Sequence, residues 1–202
     1  MMKKNIQWLW VAILFAHSAA GQNDSGKTYR NFPLVVSLQF HALSFPFKDM
    51  KANFRNIGIG IGTEIALGST HTWAQQFQLV AYRNKQVGSG IILYTQSAWR
   101  PTIVSYIYTE LKTGFGVTYN FRPVKSFQQI NGGWVSVGHK GKFMLTVPLG
   151  VSLGYNKFSK NTYVAPFVSY QILANTNYAK GIPVITNSLY QLGSQIHFSS
   201  KK

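Results

Sequence analysis

The chain has 202 residues, of which 46% are apolar and 15% aromatic, but only 12% are charged. Water-soluble domains usually carry about 25% charged residues, so this composition argues against a protein whose whole surface faces water. The 20 Lys and Arg outnumber the 4 Asp and Glu, but they are scattered rather than clustered, which argues against a nucleic-acid-binding protein.

Residues 1–20 predict a cleaved signal peptide. Lys3 and Lys4 precede an apolar run from Ile6 to Ala16, and the small residues that follow permit cleavage after Ala20 or Gly21. The run is about 11 residues long, whereas a membrane-spanning helix needs roughly 20. Residues 21–33 are expected to form a periplasmic leader. The chain has no cysteine, so no lipid-modified cysteine, disulfide or thiolate metal site is expected.

Alternation with a period of two predicts eight β-strands between residues 34 and 199, followed by a basic tail at 200–202. From Ile57 to Leu67, odd positions are apolar or Thr, while even positions are Gly, Glu or Ala. These two sets point to opposite faces of a strand. The predicted strands are Leu34–Phe45, Arg55–Leu67, Trp73–Arg83, Gly90–Ala98, Ile103–Phe121, Phe143–Tyr155, Tyr163–Leu173 and Ser188–Ser199.

The polar faces of these strands carry few charges, which is typical of the interior of a small membrane barrel. Short connections at 68–72, 99–102 and 156–162 alternate with longer ones that include 122–142 and 174–187, as expected for periplasmic turns and outer loops. Aromatic residues stand at the periplasmic strand ends: Trp73, Trp99, Tyr155 and Phe198. The sequence therefore predicts an all-β, transmembrane, antiparallel up-and-down barrel of eight strands, with ten as the alternative, in the outer membrane of a Gram-negative bacterium.

Three charged residues are predicted to face the barrel interior: Glu64, Glu110 and Lys112. Because buried charges are tolerated only with partners, we expect an ion-pair network among them. Tyr106, Tyr108 and the inward glutamines are expected to fill the lumen.

Sites for metals, nucleotides or catalysis are not predicted. His41 and His197 face inward, but toward opposite ends of the barrel. The glycines at 58, 60 and 62 lack the strand and helix that a dinucleotide loop requires, and no cofactor is expected. The segment His197-Phe198-Ser199 loosely resembles the His-x-Ser arrangement of outer-membrane lipid A deacylases, but the rest of that pattern is missing. We therefore expect a protein that is not an enzyme.

The outer connections carry most of the positive excess. We expect the Lys and Arg residues of these connections either to contact lipopolysaccharide phosphates or to serve solubility alone. Phe127 and Trp134 add an apolar contact that suits a protein partner or folds over the barrel mouth. The basic residues are Lys48, Lys51, Arg55, Arg83, Lys85, Arg122, Lys125, Lys140, Lys142 and Lys180.

With a signal peptide, eight alternating strands and long outer loops, the chain resembles the OmpA/OmpX-type small outer-membrane barrels. In these barrels a terminal aromatic residue normally closes the last strand, whereas here four residues follow Phe198. The resemblance implies a structural or interaction barrel, including a role as subunit of a larger outer-membrane complex. The alternatives are a narrow channel or carrier of a small apolar ligand, and a lipid-modifying enzyme. A porin-like wide pore is excluded with eight strands, because such a barrel has room only for side chains or one small ligand.

Overall fold

The computed structural model describes residues 32–42, 54, 56–68, 72–84, 88–121, 126–130, 132–138, 141–159, 161–179 and 182–199. The predicted signal peptide, the leader up to residue 31 and the tail at 200–202 lie outside these ranges. Within them, no helix is long and apolar enough to cross a membrane.

The described residues form eleven β-strands. Their bounds are β1 Leu34–Ala42, β2 Ile57–Leu67, β3 Trp73–Tyr82, β4 Gly90–Trp99, β5 Thr102–Val104, β6 Ile107–Asn120, β7 Ser126–Ile130, β8 Gly133–Gly138, β9 Lys142–Tyr155, β10 Tyr163–Ala179 and β11 Ile182–His197.

Eight of these strands close into one antiparallel barrel. The order around the barrel is β1-β2-β3-β4-β6-β9-β10-β11, and β11 pairs with β1 to complete the ring. β5 is a short extension paired with β6, and β7 and β8 form a separate hairpin in the connection between β6 and β9. The predicted eight-stranded up-and-down barrel is therefore confirmed, and the ten-stranded alternative is not.

The register fixes the dimensions of the barrel. A row of paired residues that leaves β2 at Leu67 passes through all eight strands and returns to β2 at Ile57, a shift of 67 − 57 = 10 residues. With about 3.3 Å per residue and about 4.8 Å between strands, this shift gives a strand tilt of roughly 41° and a backbone radius of roughly 8 Å. Such a lumen is narrow enough for side chains from opposite walls to meet.

The two faces of the barrel wall differ in chemistry as the alternation predicted. Outward residues such as Ile59, Leu149 and Leu192 are 68%, 51% and 50% exposed, although they are apolar. Inward residues are buried, and most of the polar ones are amides, hydroxyls or histidines. Gly60 faces inward, and a Cβ there would lie 2.5 Å from the Gln39 amide nitrogen and from the Ser37 hydroxyl oxygen, so this position has no room for a side chain.

Two ends of the barrel are distinguished by their connections. The end with the short connections, where Leu67, Trp73, Trp99 and Tyr155 lie, is called the turn end, and the other is called the loop end. The predicted aromatic residues are exposed at the turn end: Trp73, Trp99, Tyr155 and Phe198. Aromatic rings at this level suit the boundary between acyl chains and headgroups.

Three details of the predicted strands are wrong. The segment 174–187, predicted as a loop, continues β10 and β11, with Asn175 paired to Ile185. The predicted long strand Ile103–Phe121 is split by a turn at residues 105–106, where Ser105 has a φ of 44°. Tyr106 therefore lies in this turn, is exposed and contacts Tyr155 at the turn end, instead of filling the lumen.

Candidate functional site

The half of the lumen nearer the turn end contains a cluster of buried ionic side chains. The structure brings the three predicted interior charges to this level, since Lys112 Nζ lies 3.0 Å from Glu110 Oε2 and Glu64 lies nearby on β2. All three side chains are nearly inaccessible to solvent. Two carboxylates and one ammonium group would leave a net negative charge, which a buried site does not tolerate without a further cation.

Arg100 supplies that cation, so the expectation that only three charges face the interior is wrong. Its Nη1 and Nη2 donate to the two oxygens of Glu64 at 2.9 and 2.7 Å, and its Nε donates to Glu110 Oε1 at 2.7 Å. The guanidinium also lies over the ring of Tyr108, 4.8 Å from its centroid. Arg100 thus joins carboxylates from β2 and β6 and balances the charge of the cluster.

Sequence reasoning missed Arg100 because it follows the last residue of β4 and was assigned to a turn. Its parity was an available signal: even-numbered residues of β4 face inward, and Arg100 continues this series. The unbalanced charge of the other three residues was a second signal.

Amide side chains extend the cluster toward the loop end. Gln76 donates to Glu64 Oε2 at 3.0 Å and accepts a hydrogen bond from Gln96 at 2.7 Å, while Gln195 on β11 also donates to Glu64 at 3.0 Å. Gln171 on β10 donates to Gln96 Oε1 at 3.3 Å. The Gln195–Glu64 and Gln171–Gln96 bonds connect strands that are not neighbours in the sheet, so they bridge the lumen.

One hydrogen bond spans the full diameter of the barrel. Gln191 on β11 donates to the Tyr94 hydroxyl on β4 at 3.1 Å. β4 and β11 are four strands apart in either direction around the ring. Their side chains therefore meet on the barrel axis, and the lumen is filled at this level.

Above the amides, the lumen is packed with apolar and then polar side chains. The apolar layer consists of Val80, Tyr82, Ile92, Tyr94, Leu173 and Leu189. Near the loop end, Thr146 donates to Asn175 Oδ1 at 2.6 Å, and the hydroxyls of Thr118 and Thr146 lie 2.6 Å apart. The filled lumen thus continues to the loop end of the barrel.

The two inward histidines lie at opposite ends of the barrel. His41 stacks on Tyr82 near the loop end, with ring centroids 4.1 Å apart, and His197 stacks on Tyr163 at the turn end, with centroids 4.4 Å apart. The register pairs His41 with Leu189, eight residues before His197 on β11. Across the described ranges, no three His, Cys, Asp or Glu side chains converge on a position that could hold a metal ion.

The predicted outer contacts are only partly within the described residues. Arg83 is exposed after β3, and Lys142 is half-buried at the start of β9. Trp134 in β8 is 71% exposed; Phe127 lies in β7, but its side chain is outside the described part of the structure. The other predicted contacts also lie outside it: Lys48, Lys51, Arg55, Lys85, Arg122, Lys125, Lys140 and Lys180.

Comparison with known proteins identifies similar folds but no family. No protein-family model and no curated protein matches the sequence. Neisserial surface protein A (NspA) is 10% identical with a TM-score of 0.47, over 85% of this chain and 97% of that one. The Yersinia pestis outer membrane protein Ail is 12% identical with a TM-score of 0.40, over 82% and 99%. A de novo designed transmembrane β-barrel is 8% identical with a TM-score of 0.37, over 84% and 99%. The barrel assignment rests on the strand pairing of this chain itself.

Proposed function

We propose that this protein is an integral barrel of the Gram-negative outer membrane that is closed to solutes and acts through its outer surfaces, as a structural or interaction protein. The observation that carries the proposal is the Gln191–Tyr94 hydrogen bond across the full diameter of the lumen. With side chains from opposite walls in contact, the interior offers no continuous aqueous path. The surfaces left for function are the lipid-facing wall and the loop end.

The outer wall supports the membrane location. About ten residues per strand, at about 3.3 Å per residue and a tilt of roughly 41°, give an apolar belt roughly 25 Å tall, which matches the belt of outer-membrane barrels. An apolar groove on this wall is lined by Val36, Leu38, Ile59, Ile61, Leu79 and Leu192, and acyl chains fill it when the barrel is inserted. The longest connections, 43–56 and 121–141, lie at the loop end, so the turn end is assigned to the periplasm.

The alternative functions receive less support from the geometry. A channel needs an open lumen, and a carrier of a small apolar ligand needs an interior cavity, whereas the apolar layer around Leu173 and Leu189 is packed. The carboxylates of Glu64 and Glu110 are both engaged by Arg100. Such a balanced ion pair suits a structural role better than acid–base catalysis of a lipid-modifying reaction.

The loop end supports contacts with other molecules. Trp134, Val135 and Ile130 of the β7–β8 hairpin are 71%, 49% and 47% exposed, and an exposed apolar hairpin surface suits a protein partner. Arg83 and Lys142 belong to the basic set at this end, for which we propose lipopolysaccharide phosphates as partners.

The test is a gentle detergent extraction from native outer membranes, followed by measurement of the mass of the intact particle. We expect the protein in the outer-membrane fraction, in a particle that holds more than one polypeptide. A lone monomer would contradict the interaction role. A change in lipid A when the gene is deleted would favour the enzyme instead.

A further inference from the structure

The lipid-facing wall carries a cluster of uncharged polar side chains on the side of the barrel formed by β2, β3, β4 and β6. Gln75 on β3, Ser97 on β4 and Thr113 on β6 are adjacent outward residues of one hydrogen-bonded row. Thr63 on β2 and Thr95 on β4 occupy the next row, on either side of Phe77. These five residues are called the polar patch.

The wall on the other side of the barrel is different. The outward residues of β1 and β9 are all apolar or aromatic over the whole length of both strands. On β1 they are Leu34, Val36, Leu38 and Phe40, and on β9 they are Phe143, Leu145, Val147, Leu149, Val151, Leu153 and Tyr155. β11 adds single outward hydroxyls such as Ser194, but its neighbours in the same row, Val36 and Pro166, are apolar. The polar patch is therefore a local concentration of adjacent polar side chains and not the general composition of the wall.

The polar patch lies at the depth of the acyl chains. Gln75 is two residues beyond Trp73, and Ser97 is two residues beyond Trp99, on the side toward the loop end. At about 3.3 Å per residue and a tilt of roughly 41°, two residues rise about 5 Å, and each step to the next strand along a row rises about 3 Å. The five side chains thus lie about 5 to 13 Å beyond Trp73, within a belt roughly 25 Å tall.

Hydrogen bonds within the barrel satisfy the polar patch only in part. Gln75 Nε2 donates to Thr95 Oγ1 at 2.6 Å, and Ser97 Oγ donates to Gln75 Oε1 at 2.8 Å. A carboxamide has two N–H donors, and the bond to Thr95 uses one of them. Thr113 is exposed on the same row. Hydrocarbon offers no hydrogen-bond partner. A polar surface at this depth is therefore stabilised when it binds another molecule that supplies hydrogen-bonding groups.

We propose that the polar patch is a lateral interface at which a second copy of this chain docks within the membrane. The proposal deepens the proposed function and rests on its membrane location, because a polar patch in water would need no partner. Hydroxyls and carboxamides both donate and accept hydrogen bonds, so the same surface on two copies is self-complementary about a two-fold axis. The patch carries no charge, which disfavours anionic headgroups and charged segments as occupants.

Aromatic side chains beside the polar patch add apolar contact area. Phe77 and Phe115 are 40% and 64% exposed and belong to the row of Thr63 and Thr95. A polar centre with large aromatic side chains around it is a favourable arrangement for a protein–protein contact, because the aromatic groups bury area and exclude competing hydrogen-bond partners.

The test uses single cysteines, which are unique in this chain because the natural sequence has none. Ser97→Cys places a thiol at the centre of the polar patch. Leu192→Cys is the matched control, because it faces outward on β11, diametrically opposite β4. By the same tilt and rise, its depth in the membrane differs from that of Ser97 by only about 3 Å. Both variants are oxidised in native outer membranes with the membrane-permeant reagent copper phenanthroline, and the products are separated without reductant.

We expect a disulfide-linked dimer of the chain from Ser97→Cys and none from Leu192→Cys. Adding Gln75→Leu to Ser97→Cys should abolish most of that dimer, while the barrel still shows its folded mobility on an unheated gel. Equal dimer from both cysteine variants, no dimer from Ser97→Cys, or an adduct of Ser97→Cys with a different protein would overturn the proposal. Retention in urea-washed membranes distinguishes the two proposals. A chain that is retained without the cross-linked dimer overturns the interface at the polar patch but not the membrane location, whereas a chain that washes out overturns the membrane location.

Discussion

Removing Arg100 should destabilise the barrel more than removing any exposed arginine. Arg100 makes three charge-assisted hydrogen bonds of 2.7 to 2.9 Å to Glu64 and Glu110. In Arg100→Ala, Lys112 remains beside Glu110 at 3.0 Å, so the cluster changes from neutral to a net charge of −2 + 1 = −1. Breaking a buried ion pair by removing one partner costs about 3–5 kcal/mol, and we expect a loss of this size in the free energy of unfolding.

The measurement is urea-induced unfolding of the barrel in lipid vesicles, followed by tryptophan fluorescence. Trp73 and Trp99 report on it because both rings are exposed on the membrane wall. Arg83→Ala, which removes an exposed arginine, is the matched control and should change the free energy of unfolding by no more than about 0.5 kcal/mol.

A second control separates charge balance from packing. Replacing both partners, with Glu64→Gln and Arg100→Met, leaves Glu110 and Lys112 as a neutral pair, so this double variant should be more stable than Arg100→Ala. A loss below about 1 kcal/mol for Arg100→Ala, or a double variant as unstable as the single one, would refute the reasoning.

Two further predictions use the same unfolding measurement. Gly154→Ala should lower stability by about 1–3 kcal/mol, because a Cβ there would overlap the ring of Tyr108; Gly133→Ala, where the nearest atom is 3.8 Å from such a Cβ, should lower it less. Leu149→Arg, on the lipid-facing wall, should cost about 2–4 kcal/mol, whereas Ile130→Arg, similarly exposed but in the β7–β8 hairpin, should change stability by no more than about 0.5 kcal/mol. Equal effects within either pair would contradict the assigned packing or membrane depth.

The strand faces were predictable from sequence because they depend on local alternation. The segment Ile57–Leu67 shows this directly, since its bulky odd-numbered residues face outward and its small or charged even-numbered residues face inward. A period of two fixes the face of every residue once one face is identified as apolar. The interior position of Glu64 followed from the same rule.

The partners of those residues were not predictable, because they depend on the register around the whole barrel. Gln191 and Tyr94 are 97 residues apart in sequence and meet only because the ring closes with a shift of ten residues. The extension of β10 and β11 was missed for a related reason. Asn175 and Thr176 in this segment sit next to Asn177, and asparagine is depleted in strands, but pairing with the partner strand outweighs this local preference.

The central claim is that side chains meeting across the lumen close this barrel, and planar-bilayer conductance tests it most directly. Purified protein inserted into a bilayer should show no stepwise current, since the Gln191–Tyr94 contact spans the barrel diameter. Stable current steps that scale with salt concentration would contradict the account, because they require an open aqueous path through the lumen.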